Sequence, residues 1–421
     1  MTDVVVIGGG IAGLCAAAEV ARAGVSVTVL DAHGVGGRAR TTEVDGYELN
    51  VGPHAIYVAG ALFGLLAELR IDVPGQTPPT DVGWLLVGET LHQLPGGPRS
   101  LLTTTALSAR SKLRAGRLLA SLPRLDTAAL VGTSVSTWLA ELPADLRRVF
   151  DGLVRVSSYT DLPDEFDAGA AAAQIQLALK PGVRYVDHGW QTIIDGLRQY
   201  VLATGGEVRE HAQVAEVTES PDGVEVRLAD GTVIGAAHVI VAAGGPRTVA
   251  RLTGRPVAGV DRLGPPVESA CLDFGLRRAP SRSFILGGDQ PLYLSLHAPT
   301  AALAPPGGAV LSTMRYLRPG AEPPESAVTR AELRALATTA GVTPDDIVTE
   351  RYLARMTVTH GVPTARGGGL TGRPTIDALE SSRISIAGDW VGAEGLLADA
   401  SAASGRSAAR RAVAAARSVR S

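Results

Sequence analysis

Sulfur and lysine are scarce in this chain of 421 residues, and aromatic residues make up 4% of it. The two cysteines, Cys15 and Cys271, are too few for a disulfide framework, and Cys15 sits in an Ala-rich helical pattern where a thiol acts as a small apolar side chain. A reduced, cytoplasmic setting is therefore expected. Lysine occurs only at 112 and 180, and the arginine bias of the other basic residues reads as codon usage. The net charge of -3 supplies no cationic excess for phosphate backbones, which excludes nucleic acid as a partner. No apolar run approaches the roughly 20 residues of a spanning helix, and the start MTDVVVIGGG runs into a strand without a charged leader or cleavage site. No export is expected, and any membrane contact would be peripheral. With 45% hydrophobic and 19% charged residues and no low-complexity tract, the chain reads as globular, and its length suits two units.

Glycine, in contrast, is placed with purpose. Asp3 to Ile7 reads as a fully buried strand, and GGGIAG follows with Gly8, Gly10 and Gly13 in G-x-G-x-x-G spacing. A small-residue helix then runs from Ile11 to about Ala23, and a second strand, Ser26 to Leu30, ends at Asp31. In such a unit the first glycine makes the tight turn, the second admits a pyrophosphate to the backbone, and the third lets helix and strand pack closely. The helix N-terminus offers free N–H groups and a positive dipole end to the phosphates, and Asp31 stands where a carboxylate accepts ribose hydroxyls. A lone GxGxxG fits any Gly-rich turn. Strand, loop, helix, strand and acid in this order point to a dinucleotide, NAD or FAD.

After Asp31 come AHGVGGRART and NVGPHAIY, and near the C-terminus ISIAGDWVGAEG. With these motifs the chain resembles the flavin-containing amine oxidase, protoporphyrinogen oxidase and phytoene desaturase superfamily. The resemblance implies an α/β fold: a Rossmann-like FAD-binding domain of glutathione-reductase type with an inserted α+β substrate domain. It implies FAD contacts from Gly37 and Arg38 to the pyrophosphate, from Gly52 and Pro53 beside the flavin ring, and from the Val214 backbone to the adenine. Gly388 and Asp389 would hold the ribityl chain, and Gly395 and Leu396 would turn their N–H groups to the pyrimidine edge. The helix after them carries Ala400, Ser404 and Ala408 on one slim face, and Gly405. Residues 206 to 245 alternate as strands around turns at Pro221-Asp222-Gly223 and Asp230-Gly231 and end in HVIVAAGGP, a meander that rejoins the sheet. VDHGWQTIIDGL matches the glycine-containing entry to the preceding helix.

These pieces assign residues 1–58, 185–261 and 373–421 to a discontinuous FAD domain, and 59–184 and 262–372 to the substrate domain. By pattern the first insert is mostly helical, over ALFGLLAELR, LLTTTALSARSKLRAGRLLASL and STWLAELPADLRRVFDGLVRV, and the second mixes short strands with Pro-rich loops. Both are apolar, which favours a hydrophobic pocket and a small apolar substrate. From Arg99 to Leu125 there are six basic residues and no acid, which fits either a lid's outer face or peripheral contact with an anionic bilayer. Candidate catalytic groups are His54 and Tyr57, next to Gly52-Pro53, and His360 in RMTVTHGVP; each could equally be structural. No metal site is expected, and without a histidine or cysteine at a linkage motif the FAD should be non-covalent. Many relatives place a lysine near flavin N5. Here CLDFGLRR supplies arginine after residue 262 instead, which puts desaturase-like hydride transfer ahead of an amine or amino-acid oxidase. A non-enzymatic escort-type binder of the same fold is the third reading; oligomeric state and electron acceptor are left open.

Overall fold

In the computed structural model, which describes residues 2–79, 82–180 and 182–420, the first strand, Thr2–Ile7, lies at the centre of a seven-stranded sheet. Val4 and Val6 pack with the helices Ile11–Arg22, Gln191–Ala203 and Leu397–Arg420, while Val5 and Ile7 pack on the other side among Val217, Val226 and Val249. Cover on both faces is why Val4 to Ile7 is an unbroken apolar run. Val27–Leu30 and Val233–Val241 flank it in parallel, and Glu207–Arg209 extends the edge beyond Val27–Leu30.

Val233–Val241 is long enough to serve two partners on its far side. Its start pairs antiparallel with Gly223–Leu228, which in turn pairs with Val214–Ser220; its end pairs in parallel with Ile384–Ile386. The parallel strands ending at Ile7, Leu30, Val241 and Ile386 thus deliver Gly8, Asp31, Ala242 and Gly388 to one edge of the sheet. That edge is where ligands bind in open α/β sheets.

A second seven-stranded sheet runs in the order Ile347–Thr359, Val267–Leu276, Ala309–Leu317, Leu292–Ala298, Phe284–Gly287, Gly83–Val87, Thr90–Gln93. Alternation along its strands divides the core in two. Leu85, Cys271, Leu286, Tyr293 and Met314 face helices between 107 and 175, whereas Leu86, Leu272, Ile285, Leu292 and Leu294 face the helix Ser326–Thr339. The fold is α/β with this α+β unit inserted.

Two local expectations need correction. After its first helix, Ala61–Glu68, the first insert contains a hairpin, Gly83–Val87 and Thr90–Gln93, that joins the second sheet, so it is less helical than its pattern suggests. Its sheet partner Phe284–Gly287 is distant in the chain, and periodicity in a local window carries no trace of it. The two long helical patterns are also broken. One becomes Pro98–Thr103 and Ala109–Ser121, the latter capped by the Ser108 side chain; the other becomes Val135–Trp138 and Ala144–Ser158, with Pro143 at the cap.

A candidate dinucleotide and substrate cavity

A continuous cavity of about 710 Å³ opens along the shared strand ends, within the roughly 300–1,000 Å³ usual for small-molecule sites. Gly8, Gly10, Asp31, Gly37, Arg38, Pro53, Val214, Gly388, Asp389 and Leu396 all line it, as do His54, Tyr57 and His360. Gly13, Gly52 and Gly395 act from behind. A Cβ at Gly13 would overlap the Gly8 carbonyl, and one at Gly52 would stand 2.5 Å from Met356 Cε, whereas a Cβ at Gly10 would meet nothing within 4 Å. The groove floor at Gly10 is therefore open to an occupant. Asp31 accepts hydrogen bonds from Gly9 N–H (2.7 Å) and His33 N–H (2.8 Å), which braces the loop from the end of the second strand.

Across the groove, Arg38 Nη1 donates to the Val358 carbonyl at 2.6 Å and reaches Asp389 Oδ2 at 3.1 Å. Asp389 is buried, and it also accepts the His360 N–H at 2.9 Å and lies 3.1 Å from His360 Nδ1. Burial by itself would raise its pKa, but the Arg38 charge and the His360 contact outweigh it and hold the carboxyl well below the usual carboxylate range. Three stretches from opposite ends of the chain meet in this cluster. His360, one of the candidates near the flavin, lines the cavity and bonds to Asp389 through both its main chain and its ring.

Two residues here escaped the sequence reading. Arg373 is 2% exposed; its Nε donates to Gly392 O (2.6 Å), Nη1 to Asp389 O (3.2 Å), and Nη2 to Glu394 O (3.1 Å) and Gly395 O (3.0 Å). It gathers the turn between the last strand and the C-terminal helix around one guanidinium. Nothing in GRPT marks it locally, because its partners are backbone carbonyls. Asp399, in the first turn of Leu397–Arg420, lines the cavity, and its Oδ1 accepts the Leu62 N–H at 2.9 Å, capping a second helix, Ala61–Glu68. Burial, with Glu394 adding to it against the Leu62 bond, pushes its carboxyl up to about 6. An acid in a helix's first turn was a legible cue. The N–H groups of Leu396, Leu397 and Ala398, beside Asp399, have no partner among the described residues, as expected at a helix N-terminus.

The remaining wall is apolar and aromatic: Tyr57, Tyr159, Trp190, Met356, Leu396 and Leu397. His54 Nδ1 donates to Gly52 O at 3.0 Å, and its ring meets Trp190 edge-on at 4.8 Å between centroids. Burial, only partly countered by Gly52 and reinforced by the Arg38 and Arg351 charges, lowers His54 to about 4, so it is neutral at pH 7. Tyr57 donates its hydroxyl to Ser157 O at 2.8 Å, and burial raises its pKa. The arginines of CLDFGLRR do not take the place of a cavity lysine. Arg277 and Arg278 are exposed and bond to Asp345 O and Asp346, in the turn before Ile347–Thr359. Nearby, Arg351 pairs with buried Asp273 at 2.7 Å.

Compared with known proteins, the chain matches the family described as flavin containing amine oxidoreductase over residues 11–413. It belongs to that family. Protoporphyrinogen oxidase of Bos taurus is 39% identical over 112 residues, a match spanning 24% of this chain and 24% of that protein. An oxidoreductase from Methanosarcina mazei shares the fold with a TM-score of 0.75 at 18% identity, covering 96% of this chain and 99% of that one. Cyclohexylamine oxidase from Brevibacterium oxydans IH-35A has a TM-score of 0.72 at 18% identity over 100% of both chains. Family membership implies a flavin cofactor.

Proposed function

We propose that the protein is an oxidoreductase that holds FAD non-covalently in this cavity and dehydrogenates an apolar or amphipathic small molecule. The observation that carries the reading is the contact of Arg38 with Asp389 over the open floor at Gly10, which frames a groove from the nucleotide loop to the tail helix. The residues fit the group. Open glycine backbone and Arg38 suit a pyrophosphate, Asp31 and Asp389 suit ribose and ribityl hydroxyls, and the free N–H groups at 396–398 suit a carbonyl edge that gains negative charge. When bound, FAD supplies a two-electron acceptor for a hydride leaving a substrate C–H bond.

The chain's own contribution is placement and exclusion of water. Tyr57, Tyr159, Met356 and Leu397 give substrate an apolar wall, and His54, kept neutral, presents no charge that a hydrocarbon segment would have to desolvate. Tyr57, with its hydroxyl committed to Ser157, shapes the wall rather than exchanging protons. A second reading, amine oxidation, is favoured by Asp399, a cavity carboxyl with no cationic partner among the described residues and one oxygen left over to receive an ammonium.

The test is to purify the protein, read its visible spectrum, and follow anaerobic bleaching of the flavin band with a panel of amines, terpenoids and tetrapyrroles. Bleaching by one class assigns the substrate, and amines as that class with peroxide release would select the second reading. A colourless protein that takes up no added FAD would refute both and favour an escort-type binder.

A further inference from the structure

Arg373 is a buried cation whose three guanidinium nitrogens are all spent on backbone carbonyls of residues 389, 392, 394 and 395, with no acid in direct contact. A buried charge is costly to desolvate and is ordinarily paired. The nearby carboxylate, Asp389, is already committed to Arg38 and His360. Among Arg38, Asp389 and Arg373 there is thus one positive charge more than negative, and the two acids further along the turn, Glu394 and Asp399, make no side-chain bond to the Arg373 guanidinium. Burial lowers the guanidinium only to about 10, so the charge persists at neutral pH. The same turn leads to Leu396, Leu397 and Ala398, which line the cavity and whose N–H groups have no partner among the described residues.

Resting on the flavin reading above, we propose that Arg373 is a positioning residue with an electrostatic role: it holds the 389–395 turn in shape, and its charge makes the cavity favour the reduced, anionic cofactor over the oxidised one. Shape and charge are separable by substitution. In Arg373→Lys the charge stays, but a single ammonium cannot serve four carbonyls spread along the turn. In Arg373→Met both are lost.

The measurement is FAD affinity by titration, together with the midpoint potential of the bound flavin against reference dyes. Arg373→Lys is expected to bind FAD about tenfold more weakly, with the ratio of reduced to oxidised affinity kept within about twofold. For Arg373→Met the ratio itself is expected to fall roughly tenfold, about 30 mV for a two-electron couple. An unchanged potential in Arg373→Met, or equal shifts in both variants, would overturn the electrostatic claim. Failure of both variants to fold even with excess FAD would assign Arg373 to the core and overturn the proposal. A wild-type protein that binds no FAD would instead defeat the reading on which it rests.

Discussion

Two aspartates near the tail show how environment sets a side chain's chemistry. Asp389 lies in a buried cluster with Arg38 and His360 and stays ionised; Asp399, equally enclosed but without a cation, is pushed up to about 6. The folded chain holds the Asp399 proton more tightly than the unfolded chain does. Between about pH 4 and pH 6 stability contributed at this site therefore falls as pH rises, by up to about 3 kcal/mol at 1.36 kcal/mol per unit. Asp399→Asn keeps an oxygen for the Leu62 N–H and cannot ionise. It is expected to match wild type near pH 4 and to exceed it in stability by pH 7, read from denaturant melts across that range. Parallel pH curves for the two proteins would sink the argument. The glycine loop, Asp31, Arg38 and Asp389 were legible because each sits in a motif whose spacing has a mechanism. Arg373 was not, since an arginine that bonds to main-chain carbonyls leaves no partner residue to find.

Among elements, the tail helix Leu397–Arg420 does most to join the site. Ser404 Oγ accepts the Gly388 N–H and donates to the Gly388 carbonyl, both at 3.0 Å, fixing the helix to the end of the last strand. On its other side Gly405 meets the first helix so closely that a Cβ would overlap the Ala12 carbonyl. The four-residue repeat of small side chains predicted such a slim face, and the structure shows that the first helix shares it with the sheet. Gly405→Leu is expected to cost roughly 1–3 kcal/mol by overpacking and, because Ala12 belongs to the cavity wall, to lower flavin retention along with the melting temperature. Unchanged melting would mean that the two helices part without penalty.

At the level of the whole molecule, no helix among the described residues is long and apolar enough to cross a membrane. The segment from Arg99 to Leu125 nevertheless presents an amphipathic exterior. Leu102 and Leu113 are 74% and 62% exposed, Lys112 bridges their two helices through a 2.7 Å bond to Leu102 O, and Arg99, Arg110, Arg114 and Arg117 stand exposed beside them. We propose that this face rests on an anionic lipid surface. Vesicles rich in phosphatidylserine should float the protein in low salt and release it in high salt, with flotation reduced when Leu102 and Leu113 are changed to Ser. Wild-type protein that stays at the bottom of the gradient under both conditions removes the idea.

What the sequence by itself determined is local and periodic. The glycine spacing, the buried first strand, the acid closing the second, the meander and the small-residue tail helix are each dictated by backbone sterics and by which face meets water. What only the tertiary structure decided depends on contacts between residues far apart in the chain: the hairpin at 83–93 that completes the second sheet, His360 turned to Asp389, the outward course of Arg277 and Arg278, and Arg373 beneath the turn. Hydrogen bonds to main-chain carbonyls and the balance of buried charge are properties of assembled space, and a linear pattern holds no record of them.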